Sequence, residues 1–322
     1  MAFDVSGLSA YTNQQKFPLL YKSMFDAKTQ SLFTMQQGIK SADTLNIMDS
    51  DVLFQTGGTC SFTGSGTTSF TQRTLTVKPI KIHEALCQKT LEGYYLQTQL
   101  PRGSMQEVMA FEETYTALKT EQIAQALEVG IWMGDTTLTG ASNTNYNKFD
   151  GQLKLIDAAS GVVSATAANT VALTASNIVA KLNEMAGNIP SILLGKRDFV
   201  IFVGWDVFRI AVTAFTTANM YHFDPGNAWT SGEYIIPGTN IKLIAVHGLD
   251  LANVPTGSAQ STTVQRMIGG RLSNFFVGTD MEHEEEKFEI FYAKEAMEIR
   301  FVDEFKFGTQ FAFPKEIIQY GK

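Results

Sequence analysis

The segment from Asp51 to Pro79 constrains the fold more than any other part of the chain. It carries Gly57, Gly58, Gly64 and Gly66 among many Ser and Thr, and its aromatic residues are Phe54, Phe62 and Phe70. Read physically, residues 52–79 make a β-hairpin too polar and too glycine-rich to hold itself together, because an isolated two-stranded ribbon is at best marginal in water. It must lie against something else, and for a long projecting ribbon that points to another subunit. This favours assembly over catalysis.

The returning strand of the hairpin is the better defined. In SFTQRTLTVKPIKI, Leu75 and Val77 face one way while Phe70, Gln72, Thr74 and Thr76 face the other. Pro79 cannot donate to a ladder, which places this stretch at a sheet edge or where the hairpin meets the body. The tip, TGGTCSFTGSG, is flexible when unpaired. Arg73 is the only charge between Phe54 and Val77. A buried cation there would be costly without a partner, so either a carboxylate of another subunit meets it or it faces solvent. Glu112, Glu113 and Glu121 are the candidate carboxylates.

Those glutamates fall on the next element. Ser104 and Glu107 form a capping box before an apolar-periodic run, which predicts a helix from 105 to 133 stopped by Gly134. At 1.5 Å per residue it would span roughly 43 Å, the length of a spine. Ahead of the hairpin, residues 1–51 read as an arm: polar, with spaced anchors such as Phe17, Phe25 and Phe33 and room for a short helix between Pro18 and Phe33.

Beyond the helix, FDGQLKLI (149–156) reads as a short link and residues 157–175 as loop. A helix is expected over Thr174–Gly187, a buried strand over Phe199–Val203, a helix over Asp206–Thr217 and a strand over 241–247, which together suggest a compact α/β region. The stretch from Leu249 to Gln265 reads as a surface loop. Four β-like runs follow, at Met267–Gly278, Phe288–Tyr292, Met297–Phe301 and Phe305–Phe313.

Composition narrows the function classes. A chain of 322 residues with 44% hydrophobic content buries one large core or two moderate ones. The net charge of −7 argues against a nucleic-acid footprint. Cys60 and Cys87 make neither a disulfide framework nor a metal spacing, and no signal-like or membrane-spanning run is present, so the chain reads as made in a cytoplasm.

The search for chemistry returns little. His83, His222, His247 and His283 include no pair spaced as zinc ligands on a helix, and no Ser sits in a nucleophile elbow. Gly64-Ser65-Gly66 lacks the lysine of a phosphate loop. The run Asp280, Glu282, Glu284, Glu285 and Glu286 lacks the alternation of a calcium loop and reads as a solvated acidic turn. No catalytic residue, metal site or cofactor is expected.

FTQRTLTVKPIKIHEALCQKTLEGYY, FDGQLKLI, NFFVGTDM and RFVDEFKFGTQFAFPKEIIQYG are similar to segments of tailed-phage major capsid proteins with the Hong Kong 97-like fold, and the Bacteroidetes-phage branch resembles the chain most. The resemblance implies an α+β fold with an N-terminal arm (1–51), an extended hairpin or E-loop (52–79), a peripheral domain with the spine helix (80–150 and 286–311) and an inserted axial α/β domain (151–285 and 312–322). It implies a virion protein that self-assembles into hexamers and pentamers of an icosahedral shell around double-stranded DNA, without enzymatic activity. Portal and decoration proteins would be its neighbours, and a separate scaffolding protein is expected because the arm is too short to supply one. Residues 52–77 hold no Lys, so covalent cross-links from the hairpin are not expected. An encapsulin-like shell around protein cargo would share the fold. Phe54, Phe62 and Phe70 are the expected hairpin anchors, since aromatics on a polar ribbon are interface-type residues.

Overall fold

The computed structural model describes residues 27–56, 64–87, 112–165, 171–218, 228–280, 287–296 and 298–321. In chain order the helices are α1 (Thr29–Leu32), α2 (Glu112–Met133), α3 (Gln152–Ala158), α4 (Ile178–Gly187), α5 (Trp205–Thr217) and α6 (Ala228–Ser231). The strands are β1 (Thr34–Gln36), β2 (Ala42–Ser50), β3 (Thr68–Thr76), β4 (Lys78–Cys87), β5 (Val163–Ser164), β6 (Phe199–Val203) and β7 (Glu233–Ile235). They continue with β8 (Lys242–Ala245), β9 (Met267–Arg271), β10 (Phe275–Thr279), β11 (Lys287–Ala293), β12 (Glu298–Phe311) and β13 (Ile318–Tyr320).

These strands form two sheets and a separate ribbon. In the first sheet β12 is the central strand: β4 lies along one side of it, β11 and β10 pair along its length, and β1 adds in parallel to β10. The second sheet has the order β5-β13-β9-β6-β8-β7. Among the described residues β2 and β3 pair only with each other.

β6 shows why the body folds as it does. Every residue of FVIFV is buried, so this short apolar run must be covered on both faces. Alternation sends Phe199, Ile201 and Val203 to one face, where α4 and α5 cover them with Leu182, Met185, Phe208 and Phe215. Val200 and Phe202 go to the other face, into a cluster with Trp132 and Met133 of α2, Leu153 and Ile156 of α3, and Phe275 and Phe307 of the first sheet. That second cluster joins the two sheets. At its centre Phe33, Trp132, Phe202 and Phe275 contact one another with ring centroids 5.0 to 6.5 Å apart.

The chain passes between the sheets twice in this region, at Leu272–Asn274 and after Phe311. Buried Asn274 ties the two passages side by side. Its amide donates to the Phe313 carbonyl at 2.9 Å, and its side-chain oxygen accepts from the N–H groups of Ala312 and Phe313 at 3.1 and 2.7 Å.

Several expectations hold. β6, α5, β8 and the edge position of Pro79 on β4 lie where the sequence puts them. The helix α2 ends at Met133 as expected; the Ser104–Glu107 capping box lies outside the described residues. Gly134 is required there, because a Cβ would meet the carbonyl oxygens of Gly130 at 2.5 Å and Phe149 at 2.7 Å.

Others are corrected. The outgoing strand of the ribbon is Ala42–Ser50, within the segment assigned to the arm, so the ribbon runs from 42 to 76 and not from 52 to 79. FDGQLKLI is no link: Gln152, Leu153 and Ile156 share the inner face of α3 and are fully buried. The helix expected from Thr174 starts at Ile178, and a turn in which the Thr174 carbonyl accepts from the Asn177 and Ile178 N–H groups leads into it. Met267–Gly278 is two strands in different sheets, and β10 at 275–279 belongs to the first sheet although the sequence reading placed 151–285 in the inserted region. The last two β-like runs are one strand, β12, whose polar centre hid its continuity; Asp303 is buried there.

Candidate assembly surfaces

The ribbon is seated at its base and bare at its end. Nine paired residues on each strand give it a length of roughly 30 Å. At the base, Ile39, Leu75 and Val77 form a small buried cluster with Phe276. They lie over Gly278, where a Cβ would meet all three side chains at 3.0 Å. Gly278 pairs directly with Gly308 on β12, and a Cβ on Gly308 would strike the carbonyl oxygen of Thr76. Two facing glycines thus open a slot across the sheet for the ribbon base. Gln310 donates to the Thr74 carbonyl at 2.9 Å, and Val77 N–H to the Ser41 carbonyl at 2.9 Å.

Arg73 belongs to this seat. Its guanidinium lies 4.5 Å from the centre of the Phe311 ring, beside buried Leu45, its cross-strand partner. The half-buried cation is thereby accommodated within its own chain by an aromatic face, and burial lowers its pKa.

Toward the far end the side chains lose contact with the body. Met48 and Phe70 face each other across the strands, 64% and 74% exposed. Val52, Leu53 and Phe54 follow at 78%, 60% and 98%. Polar pairs hold this part in register: Gln72 donates to Asn46 at 2.8 Å, and Asp51 Oδ1 accepts from the Thr67 N–H at 2.6 Å. Gly66, with φ of 91°, lets the backbone turn beside Asp51. A continuous exposed apolar stretch of this kind on a polar ribbon marks an interaction surface.

The arm segment is anchored by a residue the sequence reading did not single out. Glu128 on α2 is buried, and its carboxylate accepts from the N–H groups of Lys28 at 3.1 Å and Thr29 at 2.9 Å and from the Thr29 hydroxyl at 2.5 Å. Trp132 Nε1 donates to the same hydroxyl at 2.8 Å, and Lys28 Nζ reaches Glu233 at 3.1 Å. Burial pushes Glu128 above the ordinary carboxylate value, against these hydrogen bonds and the nearby His247, which pull it down. A glutamate among helix-periodic residues gave no signal of this role, because its partners lie about a hundred residues earlier.

Asp280 is likewise buried, and Lys40 and Lys306 hold it at 2.9 and 3.0 Å. It is therefore an internal anchor and not part of a solvated turn. The glutamates from Glu282 to Glu286 lie outside the described residues, as do Phe62, Cys60, His222 and His283. Glu121 is exposed on α2, while Glu112 and Glu113 open its described part. His83 pairs with Glu304 at 3.1 Å, and His247 with Asp250 at 2.8 Å while stacking on Trp205. Burial and the adjacent Asp250 raise the pKa of Asp206. Among the described residues no three His, Cys, Asp or Glu side chains are grouped to hold a metal ion. None of the described helices is long and apolar enough to cross a membrane.

No protein-family model matches the chain, and no curated protein matches it. Solved structures do. The capsid of Myoviridae phage XM1 aligns over 97% of this chain and 97% of its own, with a TM-score of 0.62 at 11% identity. A structure from Mycobacterium phage Ogopogo aligns over 99% of both chains, with a TM-score of 0.60 at 14% identity. The capsid of cyanophage P-SCSP1u aligns over 96% of this chain and 92% of its own, with a TM-score of 0.57 at 12% identity. The chain has the Hong Kong 97-like capsid fold. At such identities the shared property is the course of the backbone.

Proposed function

We propose that this chain is the structural major capsid protein of a tailed phage, assembling into hexamers and pentamers of an icosahedral shell around double-stranded DNA. The observation that carries this reading is the ribbon: in a fold matched end to end by phage capsid chains, it leaves Met48, Phe70, Val52, Leu53 and Phe54 exposed, with no cover for them among the described residues. Such a surface is costly for a monomer and useful in a shell, where one contact repeats around each closed ring.

In this reading the subunit has three parts. The first sheet and α2 form the peripheral part, the second sheet with α4 and α5 the axial part, and the segment up to Gly38 the arm, which Glu128 fixes on the spine helix. Phe54 and Phe70 are the interface residues of the ribbon, and Glu121 lies on the exposed side of the spine. Arg73 contributes by setting the angle at which the ribbon leaves the body. Scaffolding, portal and decoration proteins would be its partners in the particle, and the role is structural, with no chemistry assigned to any residue.

Negative-stain microscopy of the purified chain tests the proposal. Closed shells or capsomer rings are expected; monodisperse monomers across salt and crowding conditions would overturn it.

A further inference from the structure

The arm is fastened where three parts of the chain meet, and a single carboxylate holds it. Glu128 on α2 is 1% exposed, and the arm meets it with neutral donors: the N–H groups of Lys28 and Thr29 and the Thr29 hydroxyl. The ammonium of Lys28 turns away, to the Ser231 carbonyl at 2.7 Å and to Glu233 on β7 at 3.1 Å. On the third side lies the turn His247–Leu249, so close to α2 that a Cβ on Gly248 would meet the Glu128 carbonyl oxygen at 2.5 Å. His247 is the charged group there that acts on Glu128. It is held by Asp250 at 2.8 Å, and Asp250 in turn faces Asp206 at the start of α5.

A carboxylate buried among neutral donors is a costly ion, and taking up a proton removes that cost. The hydrogen bonds leave room for one. A protonated Oε1 would donate to the Thr29 hydroxyl, which accepts from Trp132 Nε1 and has a second lone pair, while Oε2 goes on accepting from the two backbone N–H groups. With the arm lifted, the carboxylate is open to water and the ion is solvated. Docking of the arm and uptake of the proton are therefore coupled, and each favours the other.

We propose that Glu128 is a proton-operated latch: the segment Lys28–Phe33 is held on the spine helix most firmly when the Glu128 carboxyl carries a proton, and it loosens as the pH rises. Burial lifts Glu128 above 4.5, outweighing the hydrogen bonds from Thr29 and Lys28 and the charge of His247. A group whose docked pKa is raised contributes fully below its released value and loses that contribution as pH rises through the docked one, so the window opens upward from 4.5. Burial and Asp250 raise Asp206 in the same direction, whereas a positive His247 favours the ionised Glu128 and opposes the uptake. The latch governs the joint between the two sheets, because Phe33, in the same segment, stacks on Phe275 and meets Trp132 and Phe202 edge-on.

Hydrogen exchange of the unassembled chain, read at residues 28–33 and corrected for the intrinsic pH dependence of amide exchange, tests the latch. Relative to β6 as internal reference, protection of this segment should drop about fivefold or more between about pH 4.5 and 8, the lower end of ordinary coupling between two binding events. Glu128→Gln mimics the protonated acid, its amide donating to Thr29 while its oxygen accepts from the backbone, and should hold the arm evenly across that range. His247→Gln removes the opposing charge and should move the drop to higher pH. Flat protection in the natural chain overturns the latch, whether or not the variants fold. A drop that persists in Glu128→Gln overturns it too, by assigning the proton to a neighbour such as Asp206. The measurement needs no shell, so its failure leaves the shell reading untouched.

Discussion

The second sheet and the ribbon are both extended backbone, but they find their cover in different places. β6 is sandwiched between β8 and β9, and its two faces are buried by α4 and α5 on one side and by Trp132, Phe275 and their neighbours on the other. The ribbon has no such cover among the described residues: there β2 and β3 pair only with each other, and past Leu45 and Arg73 its large apolar side chains stand exposed. One region carries its stability inside the chain, and in the proposed shell the other takes it from a partner. Substitutions should therefore separate cleanly into those that unfold the unassembled chain and those that only stop it assembling.

The largest effect on the unassembled chain is expected at Phe202. It is fully buried where the two sheets meet and touches Phe33, Trp132 and Phe275. Phe202→Ala should cost about 3–5 kcal/mol, from lost burial and the cavity left behind. Denaturant unfolding of the monomer would measure it, and a loss below about 1 kcal/mol would mean that the shared cluster does not join the sheets.

Next is the seat where the two regions touch. At Gly308 a Cβ collides with the Thr76 carbonyl, which is backbone and cannot rotate away. Gly308→Ala should destabilise the monomer by about 1–3 kcal/mol as the ribbon base is pushed off β12. Hydrogen exchange at residues 73–77 should rise more than exchange in β6. Equal rises in both would show that the ribbon and the body unfold as one unit.

The body's legibility follows from the same contrast. A run such as FVIFV has few places to go but a doubly covered strand, and a glycine directly after an apolar-periodic run, as at Gly134, marks a helix end. Local signals of that kind name elements well. The ribbon's outgoing strand was open to the same treatment, since Leu45 and Ile47 alternate with polar neighbours in ADTLNIMDS, but it lies in a polar stretch that resembles an arm. The anchors were beyond reach. Glu128 with Thr29, Asp280 with Lys40, and Gly278 with Gly308 depend on pairings between distant residues, and one polar residue or glycine in a sequence says nothing about what will approach it. The exposed aromatics Phe54 and Phe70 were legible because an aromatic in a polar ribbon is anomalous wherever its partner lies.

A smaller effect should distinguish the body by pH. Lys154 bridges Asp135 and Asp150 at 2.7 and 2.6 Å, fastening the end of α2 to the start of α3. Partial burial pushes both aspartates up, but hydrogen bonds and charge from Lys154, with the neighbouring threonines, outweigh it and leave both below 3.8. Partial burial likewise lowers Lys154, and the two carboxylates more than reverse that, leaving it above 10.5. A carboxylate with a depressed folded pKa stabilises above its unfolded value and loses that contribution as pH falls through the folded one; the raised lysine contributes below 10.5 and loses it as pH rises further. Lys154→Met should therefore cost most between about pH 4 and 10.5, and no more than about 1 kcal/mol because solvent screens the group. A wild-type minus variant difference that stays flat from pH 2 to 7 in urea unfolding would remove the clamp from the account.

The smallest effect on the unassembled chain is expected at the ribbon tip, where the contrast between the two regions is sharpest. Phe54 and Phe70 are 98% and 74% exposed, so truncating them removes almost no burial from the monomer. The double variant Phe54→Ala, Phe70→Ala should unfold within about 0.5 kcal/mol of wild type, as surface substitutions do. Its shells should be scarce or absent, because in a closed assembly each lost contact recurs at every equivalent interface. Sedimentation of assembly reactions beside monomer unfolding measures both sides. A destabilised monomer would mean that the aromatics pack within their own ribbon, and normal shells from a stable monomer would mean that the ribbon's cover comes from some other surface. Only an unchanged monomer with failed assembly fits a ribbon that is incomplete alone, and this outcome separates a strand that needs a partner from one that merely happens to be exposed.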